Sequence, residues 1–463
     1  MKARSTDTEP LTNERAEIFF IPYEDKYIIY APIKRLAFIG NKTLAILIAK
    51  LVKKEDIREL SERFPEAVKF IEKTGILAPD PLVAYEDSQS DYLPIQTTLF
   101  LTNRCNLRCI YCYASSGESP PVDMPVPLAK KAIDLVCNNA MNLGLTSFEI
   151  GFHGGGEPTL NWRTLKEAVL HARKKPVKAF ISMSSNGCYT RNKLDFIIDY
   201  FDGISLSFDG LPEVQNLQRP LANGKPSFPV VMKTIETFDK RDFPYGIRLT
   251  VTPLSVKKLP ETIDFLTTHT KTRHIQAEPA FPRGRGKGLD IDASTADDFI
   301  EQFKSAYEIA VSRDVQFIYS GAMLDALSLM LCRAPREALI VLPTGEVSTC
   351  FEVHSKEHPL SQQLLIGRIG ERLEIDKDKW KRIAFRTVKK ISFCEDCFCK
   401  FHCAGDCLGK TFDCRSSNLF KPSIRCKINQ ELTKYLLLIK KIARNKGLWI
   451  GKYEALEARR WIF

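Results

Sequence analysis

The sequence predicts an α/β fold built on a parallel sheet, and three observations carry that reading. From Ile95 onward, short apolar segments of strand length alternate with longer segments of helical period. The first of them, Ile95–Leu101, runs straight into Arg104-Cys105-Asn106-Leu107-Arg108-Cys109-Ile110-Tyr111-Cys112-Tyr113. Turns bearing glycine, serine and carboxylate follow the later segments, at the C-terminal ends of the expected strands.

Taken in order, residues 1–16 are polar, and 17–31 read as two short strands about a turn at Asp25. Thr43 to Val52 reads as an apolar helix. Lys54 to Lys73 reads as a second, amphipathic one, with a break at Pro65 and a stop at Gly75. A small domain over 1–80 is expected, then a linker over 81–94 marked by Pro81, Asp87, Ser88, Ser90 and Pro94. The strand segments that follow are Ile95–Leu101, Ser147–Phe152, Lys178–Met183, Gly203–Phe208, Gly246–Val251 and His274–Ala277. Leu128–Asn142, Leu165–Lys174 and Phe228–Asp239 read as helices between them. Repeated βα units make the strands parallel and put the helices outside. Residues 294–330 return to a helical pattern, and 428–445 read as a basic helix with an apolar Tyr435–Ile439 stripe. The aromatic end, with Trp449, Tyr453, Trp461 and Phe463, reads as packing.

The 463 residues allow two or three domains, and 44% hydrophobic content suits ordinary cores. No apolar run reaches the length of a bilayer span, and the first residues lack a signal-peptide core, so a cytoplasmic protein is expected. Fourteen cysteines in such a chain point to metal or redox chemistry rather than a disulfide framework. Net charge is +11, and residues 376–463 hold 21 Lys and Arg against 9 Asp and Glu. A basic surface suits nucleic acid or an acidic partner. It also offsets the negative charge of a thiolate-bound cluster, and its overlap with the cysteines favours that explanation over nucleic acid.

The chemistry starts at Cys105, Cys109 and Cys112. Thiolates suit iron–sulfur clusters, and three on one loop hold three irons of a [4Fe–4S] cube, leaving the fourth open to a small molecule. A closed zinc site would need a fourth ligand nearby. Cys-x3-Cys-x2-Cys with Tyr111 before its last cysteine resembles the signature of radical S-adenosylmethionine (SAM) enzymes. The resemblance implies a partial (β/α)6 barrel over 95–320, SAM on the open iron, a reductant such as flavodoxin or ferredoxin, and a 5′-deoxyadenosyl radical that takes hydrogen from substrate.

His153-Gly154-Gly155-Gly156-Glu157-Pro158 resembles the family's Gly-Gly-Glu-Pro motif, so Gly155, Gly156 and Glu157 are implied SAM contacts. Tyr111, Ser185, Asn186, Ser207, Asp209 and Arg219 occupy further positions where the family meets SAM. Asn186-Gly187 and Asp209-Gly210 also fit plain turn chemistry, and His153 reads as structural. The arginines of Glu278-Pro-Ala-Phe-Pro-Arg-Gly-Arg-Gly either grip an acidic substrate or sit in solvent.

A second cysteine system runs Cys332-x12-Gly345-x4-Cys350, then Cys394-x2-Cys397-x5-Cys403-x3-Cys407, then Cys426. It resembles the SPASM extension of radical SAM enzymes, placed here over 321–427 before a helical tail at 428–463. That resemblance implies two more [4Fe–4S] clusters, three in all. Cys394, Cys397, Cys403 and Cys426 would close one. Cys332, Cys350 and Cys407 would hold the other with one ligand missing, for which Cys399 and Cys414 are the spare thiols. Cys137 and Cys188 read as inert.

The strand–helix order of 1–80 resembles winged-helix peptide-recognition domains, with a plain helical cap as the alternative. SPASM-type enzymes mostly modify peptides. The expected activity is maturation of a ribosomally made precursor peptide, with a thioether from cysteine sulfur to carbon as the favoured product. Epimerisation, a C–C cross-link, an anaerobic sulfatase-maturating activity (formylglycine formation) and tRNA modification are the alternatives, and a non-catalytic electron carrier is the different class. Sulfatase maturases carry Asp directly after the cysteine equivalent to Cys350. Phe351 stands there, with Glu352 next as the candidate catalytic base.

Overall fold

The computed structural model describes residues 16–80, 91–412 and 420–451. Cys414, Tyr453, Trp461, Phe463 and most of the expected linker lie outside the described residues. The chain opens with three antiparallel strands, β1 (Phe19–Tyr23), β2 (Lys26–Ala31) and β3 (Leu36–Gly40), one more than expected. The third was hidden because its five residues abut the apolar helix α1 (Lys42–Val52) without alternation. Asn41 caps α1 by accepting from the Leu44 amide at 2.9 Å. The expected break at Pro65 is there: α2 (Arg58–Arg63) ends before it, and α3 (Pro65–Thr74) begins on it and stops at Gly75, whose φ is +64°. Ile29, Leu36, Phe38, Leu47, Ile48 and Ile71 close a small core between this sheet and its helices.

The main sheet begins at β4 (Gln96–Leu99) and alternates with helices as expected. In order come α4 (Val126–Asn142), β5 (Ser147–Phe152), α5 (Trp162–Ala172), β6 (Lys178–Ser185), α6 (Arg191–Tyr200) and β7 (Gly203–Ser207). Then follow α7 (Pro212–Gln218), α8 (Phe228–Lys240), β8 (Tyr245–Val251), α9 (Leu259–His269), β9 (His274–Pro279), α10 (Ala293–Ser312) and β10 (Gln316–Ile318). All neighbouring pairs from β4 to β10 are parallel. The helical reading of 294–330 therefore holds for α10 and yields to a strand after it. On the far side of β4 lies β11 (Ala338–Val341), also parallel, then β12 (Glu346–Ser348), β13 (Leu365–Ile369) and β14 (Leu373–Ile375), all antiparallel. The sheet ends at β10 and β14 and does not close on itself. This is a partial barrel with two more parallel strands than the six the sequence pattern showed.

Register brings the strand ends level. Leu99 pairs with Phe152, Phe152 with Met183, Ser185 with Leu206 and Ser207 with Arg248. The cysteine loop, the glycine loop, Ser185-Asn186 and Asp209 thus all leave the sheet at one rim. After β14, α11 (Lys377–Ala384) buries Trp380, and α12 (Ile424–Leu436) widens into a π-turn segment over Leu437–Ile442. The chain then returns to its start: β15 (Leu448–Ile450) pairs antiparallel with β3 and buries Trp449 in the main core. No helix among the described residues is long and apolar enough to cross a membrane.

Candidate functional site

The cysteine loop is held by its backbone. Arg108 N–H donates to the Pro220 carbonyl at 2.8 Å, Ile110 N–H to Gln218 at 2.9 Å, and Ala222 N–H to Asn106 at 2.8 Å. The loop after β9 grips it from the other side: Arg285 Nε donates to the Cys109 carbonyl at 2.7 Å and its amide to the Cys112 carbonyl at 3.0 Å. Arg285 and Arg283 are therefore not the solvent-facing pair that was one reading of the sequence. Arg283 reaches Glu352 Oε1 at 2.7 Å.

Tyr111 ties the loop to the strand ends. Its hydroxyl donates to Asp209 Oδ2 at 2.6 Å and accepts from Arg219, while Gln218 Nε2 at 2.8 Å and Thr250 N–H at 3.1 Å complete the carboxylate. Burial pushes the Asp209 carboxyl up, against the pull of Arg219 and these donors. Replacing Tyr111 with Phe strips one donor from this buried carboxylate. A loss of about 1–3 kcal/mol is expected in urea unfolding, with weaker retention of iron when a chelator is added.

Glu157 does the same for the glycine loop. Thr159 N–H and Oγ1 and Ser185 Oγ donate to Oε1, and Asn186 N–H donates to Oε2 at 3.0 Å. The carboxylate expected to face a ligand is thus mostly satisfied by the chain itself. Gly156 lies against the cysteine loop so closely that a Cβ there would stand 2.1 Å from the Arg104 carbonyl. Asn186 Nδ2 reaches Asn106 Oδ1 at 2.7 Å, joining the end of β6 to the same loop. Ser207 ends β7 half-buried, and no hydrogen bond joins its side chain to the Tyr111–Asp209 network. His153 packs between Phe100 and Phe351, and burial lowers its pKa to about 4, which keeps the ring neutral.

The C-terminal cysteines form two groups. Burial pushes the Cys350 thiol well up, and its neighbours Cys407, Glu352 and Cys332 add to that. The other group holds Cys394, Cys397, Cys403, Cys426 and also Cys399, whose sulfur lies 3.3 Å from that of Cys397. Cys399 belongs here and not with Cys350. Cationic Arg386, Lys400 and Lys410 stand beside these thiols, as the charge surplus of the region suggested. Tyr113 joins the first C-terminal group to the cysteine loop. Its hydroxyl donates to the Phe351 carbonyl at 3.3 Å, and Cys112, Glu352 and Cys350 all lie near enough to add to the upward push of burial on its pKa. Sequence reasoning missed Tyr113, and also His354, which packs edge-on to it. It missed as well the 2.5 Å contact of Tyr30 with His402, which seats the first domain on the cysteine-rich segment.

Residues 99–266 match the family model of the radical SAM superfamily. The chain carries a radical SAM domain. An uncharacterised protein of Methanocaldococcus jannaschii is 32% identical over 36% of the chain and 57% of its own length. Mycofactocin maturase MftC of Mycolicibacterium smegmatis is 28% identical over 57% of the chain and 66% of its own length. The chain thus spans about three-fifths of the length of these relatives. A structure of anSMEcpe with bound AdoMet and a Kp18Cys peptide covers 76% of the chain and 99% of its own, at 20% identity and a TM-score of 0.62, which shows a shared fold.

The radical SAM domain fits a cluster and SAM on its own geometry. Arg219 is 7% exposed, lies beside Cys109 and Tyr111 and 3.8 Å from Asp209 Oδ1, and its buried Nε has no hydrogen-bond partner, which leaves that donor for a ligand. Burial raises the Cys105 thiol to about 12, and a bound cation would favour its thiolate.

Proposed function

We propose that the protein is a peptide maturase of the radical SAM type, taking hydrogen from a ribosomally made precursor peptide and forming a thioether between cysteine sulfur and carbon. One observation supports this reading: the Tyr113 hydroxyl donates to the Phe351 carbonyl at 3.3 Å and lies near Cys112 of the first cysteine loop and Cys350 and Glu352 of the C-terminal group. Loaded with a [4Fe–4S] cube and SAM, the first group supplies homolytic cleavage of the sulfonium and a hydrogen-abstracting radical, given an electron from a carrier such as flavodoxin or ferredoxin.

The chain's own residues do the rest. Arg219 would hold the SAM carboxylate, Gly155 and Gly156 would bring backbone to its amino group, and Glu157 and Asp209 hold the loops in register. Tyr113 and His354 pack edge to face beside Cys112 and Cys350, and the reacting part of the peptide would lie against this pair. Glu352 takes the proton a substrate thiol gives up. Two further clusters, on the Cys332 group and on Cys394, Cys397, Cys403 and Cys426, are part of this reading, as is peptide recognition by the β1–β3 domain. The relatedness to a maturase and the shared fold with a peptide-bound enzyme support it.

The test uses the full chain, reconstituted without oxygen, with SAM, a reductant and cysteine-containing precursors encoded beside it. The expected product has lost a pair of hydrogen atoms per bond and resists thiol alkylation. If such precursors stay intact while a sulfatase-type peptide is oxidised, the sulfatase-maturating activity replaces this one.

A further inference from the structure

Among the described residues no further thiol completes the Cys332, Cys350 and Cys407 group, since Cys399 stands with the other group. One side chain lies where that ligand is missing. Glu352 is two residues past Cys350, and its side chain is 12% exposed. Its oxygens face different ways. Oε1 takes the Arg283 guanidinium at 2.7 Å. Oε2 lies on the sulfur side: a Cβ built on Gly409 would stand 2.4 Å from Oε2 and 3.1 Å from Cys350 Sγ. Gly409 sits in the turn Leu408–Thr411 that Cys407 begins, so Glu352 Oε2 and Cys350 Sγ both lie against the segment that carries Cys407. A side chain at 409 would fill the space between them.

We infer that Glu352 Oε2 is the fourth ligand of the cluster held by Cys332, Cys350 and Cys407, with Arg283 fixing its other oxygen. The inference rests on that trio holding a cluster. A carboxylate is a harder partner for iron than a thiolate, so a substrate cysteine can replace it. Glu352 would then give up the iron to the incoming sulfur and take the thiol proton on its freed carboxylate, an exchange of ligand and proton with no electron transferred. The group that closes the site at rest is thereby the base when substrate enters.

The experiment uses the full chain with Cys105, Cys109 and Cys112 all replaced by Ala, so that only the C-terminal clusters load. The reduced protein is titrated with 2-mercaptoethanol and followed by electron paramagnetic resonance. With Glu352 present, the thiol concentration that half-converts the spectrum is expected to be at least about tenfold higher than in Glu352→Ala, where nothing competes. Glu352→Cys, which closes the iron with a thiolate, should not respond. Equal titrations with Glu352 and with Ala, or a Glu352→Cys protein that titrates like them, overturn the inference. If Cys332→Ala, Cys350→Ala and Cys407→Ala leave iron content and spectrum unchanged in this background, the trio holds no cluster, and the reading beneath the inference fails instead.

Discussion

Replacing any one of Cys105, Cys109 and Cys112 with alanine is expected to abolish cleavage of SAM to 5′-deoxyadenosine and to remove roughly four irons per chain, one whole cube. The effect should be the same for single and triple variants, because each thiolate holds a different iron and a cube on two thiolates does not persist in the presence of chelator. Cys137→Ala is the control. That thiol lies in α4, 1% exposed within the main core, and its loss should leave iron and cleavage intact. Iron assay and chromatography of the nucleoside read the outcome. Triple-alanine protein that keeps its iron and still cleaves SAM would remove the chemical basis of the assignment.

Arg425→Ala is expected to destabilise the fold by about 3–5 kcal/mol, the cost of leaving a buried charge without its partner. Arg425 is 2% exposed. It reaches Asp406 Oδ2 at 2.8 Å and Glu278 Oε2 at 3.3 Å, so it joins the end of β9 to the cysteine-rich segment. Burial alone would push Glu278 up; Arg425, with Lys410 and Arg248, overcomes it and holds the carboxyl near 2. The sign follows from that depression. The stability due to Glu278 is present above its unfolded value of about 4.3 and is lost as pH falls from there toward 2. Urea midpoints should therefore drop over that range in the wild type. In Arg425→Ala the midpoint starts lower and this part of the acid dependence disappears. A midpoint at pH 7 within error of the wild type would show that the pair is not what joins the two segments.

How much of this was legible in the chain depended on how local the signal is. Ser147–Phe152 was readable to the residue because its length and bounding turns are carried by its own sequence. The stop at Gly75 and the break at Pro65 were readable because each is a backbone property of one residue. β10 and β11 were not, because three- and four-residue strands carry no period and β11 finds its partner β4 more than two hundred residues away. The same division runs through the site. Cysteine spacing announced iron, but which group Cys399 joins depends on how Cys397 and Cys403 fold around it. Glu157 and Asp209 stood out as carboxylates in turns. Their donors, Ser185, Gln218 and Thr250, come from other strands and helices, so the sequence could not show that most of their lone pairs are already taken.

The pairing of β15 with β3 has a consequence for synthesis and for truncation. Leu448–Ile450 is made after every strand of the main sheet, yet it borders a sheet begun by Phe19. A ribosome must therefore release the whole main sheet before that first sheet acquires its fourth member. Cutting away the leading eighty residues would not detach a self-contained module. It would strip the closing strand of its only ladder partner among the described residues and uncover Trp449, so an effect of such a cut on peptide affinity would report damage to the body of the protein as well.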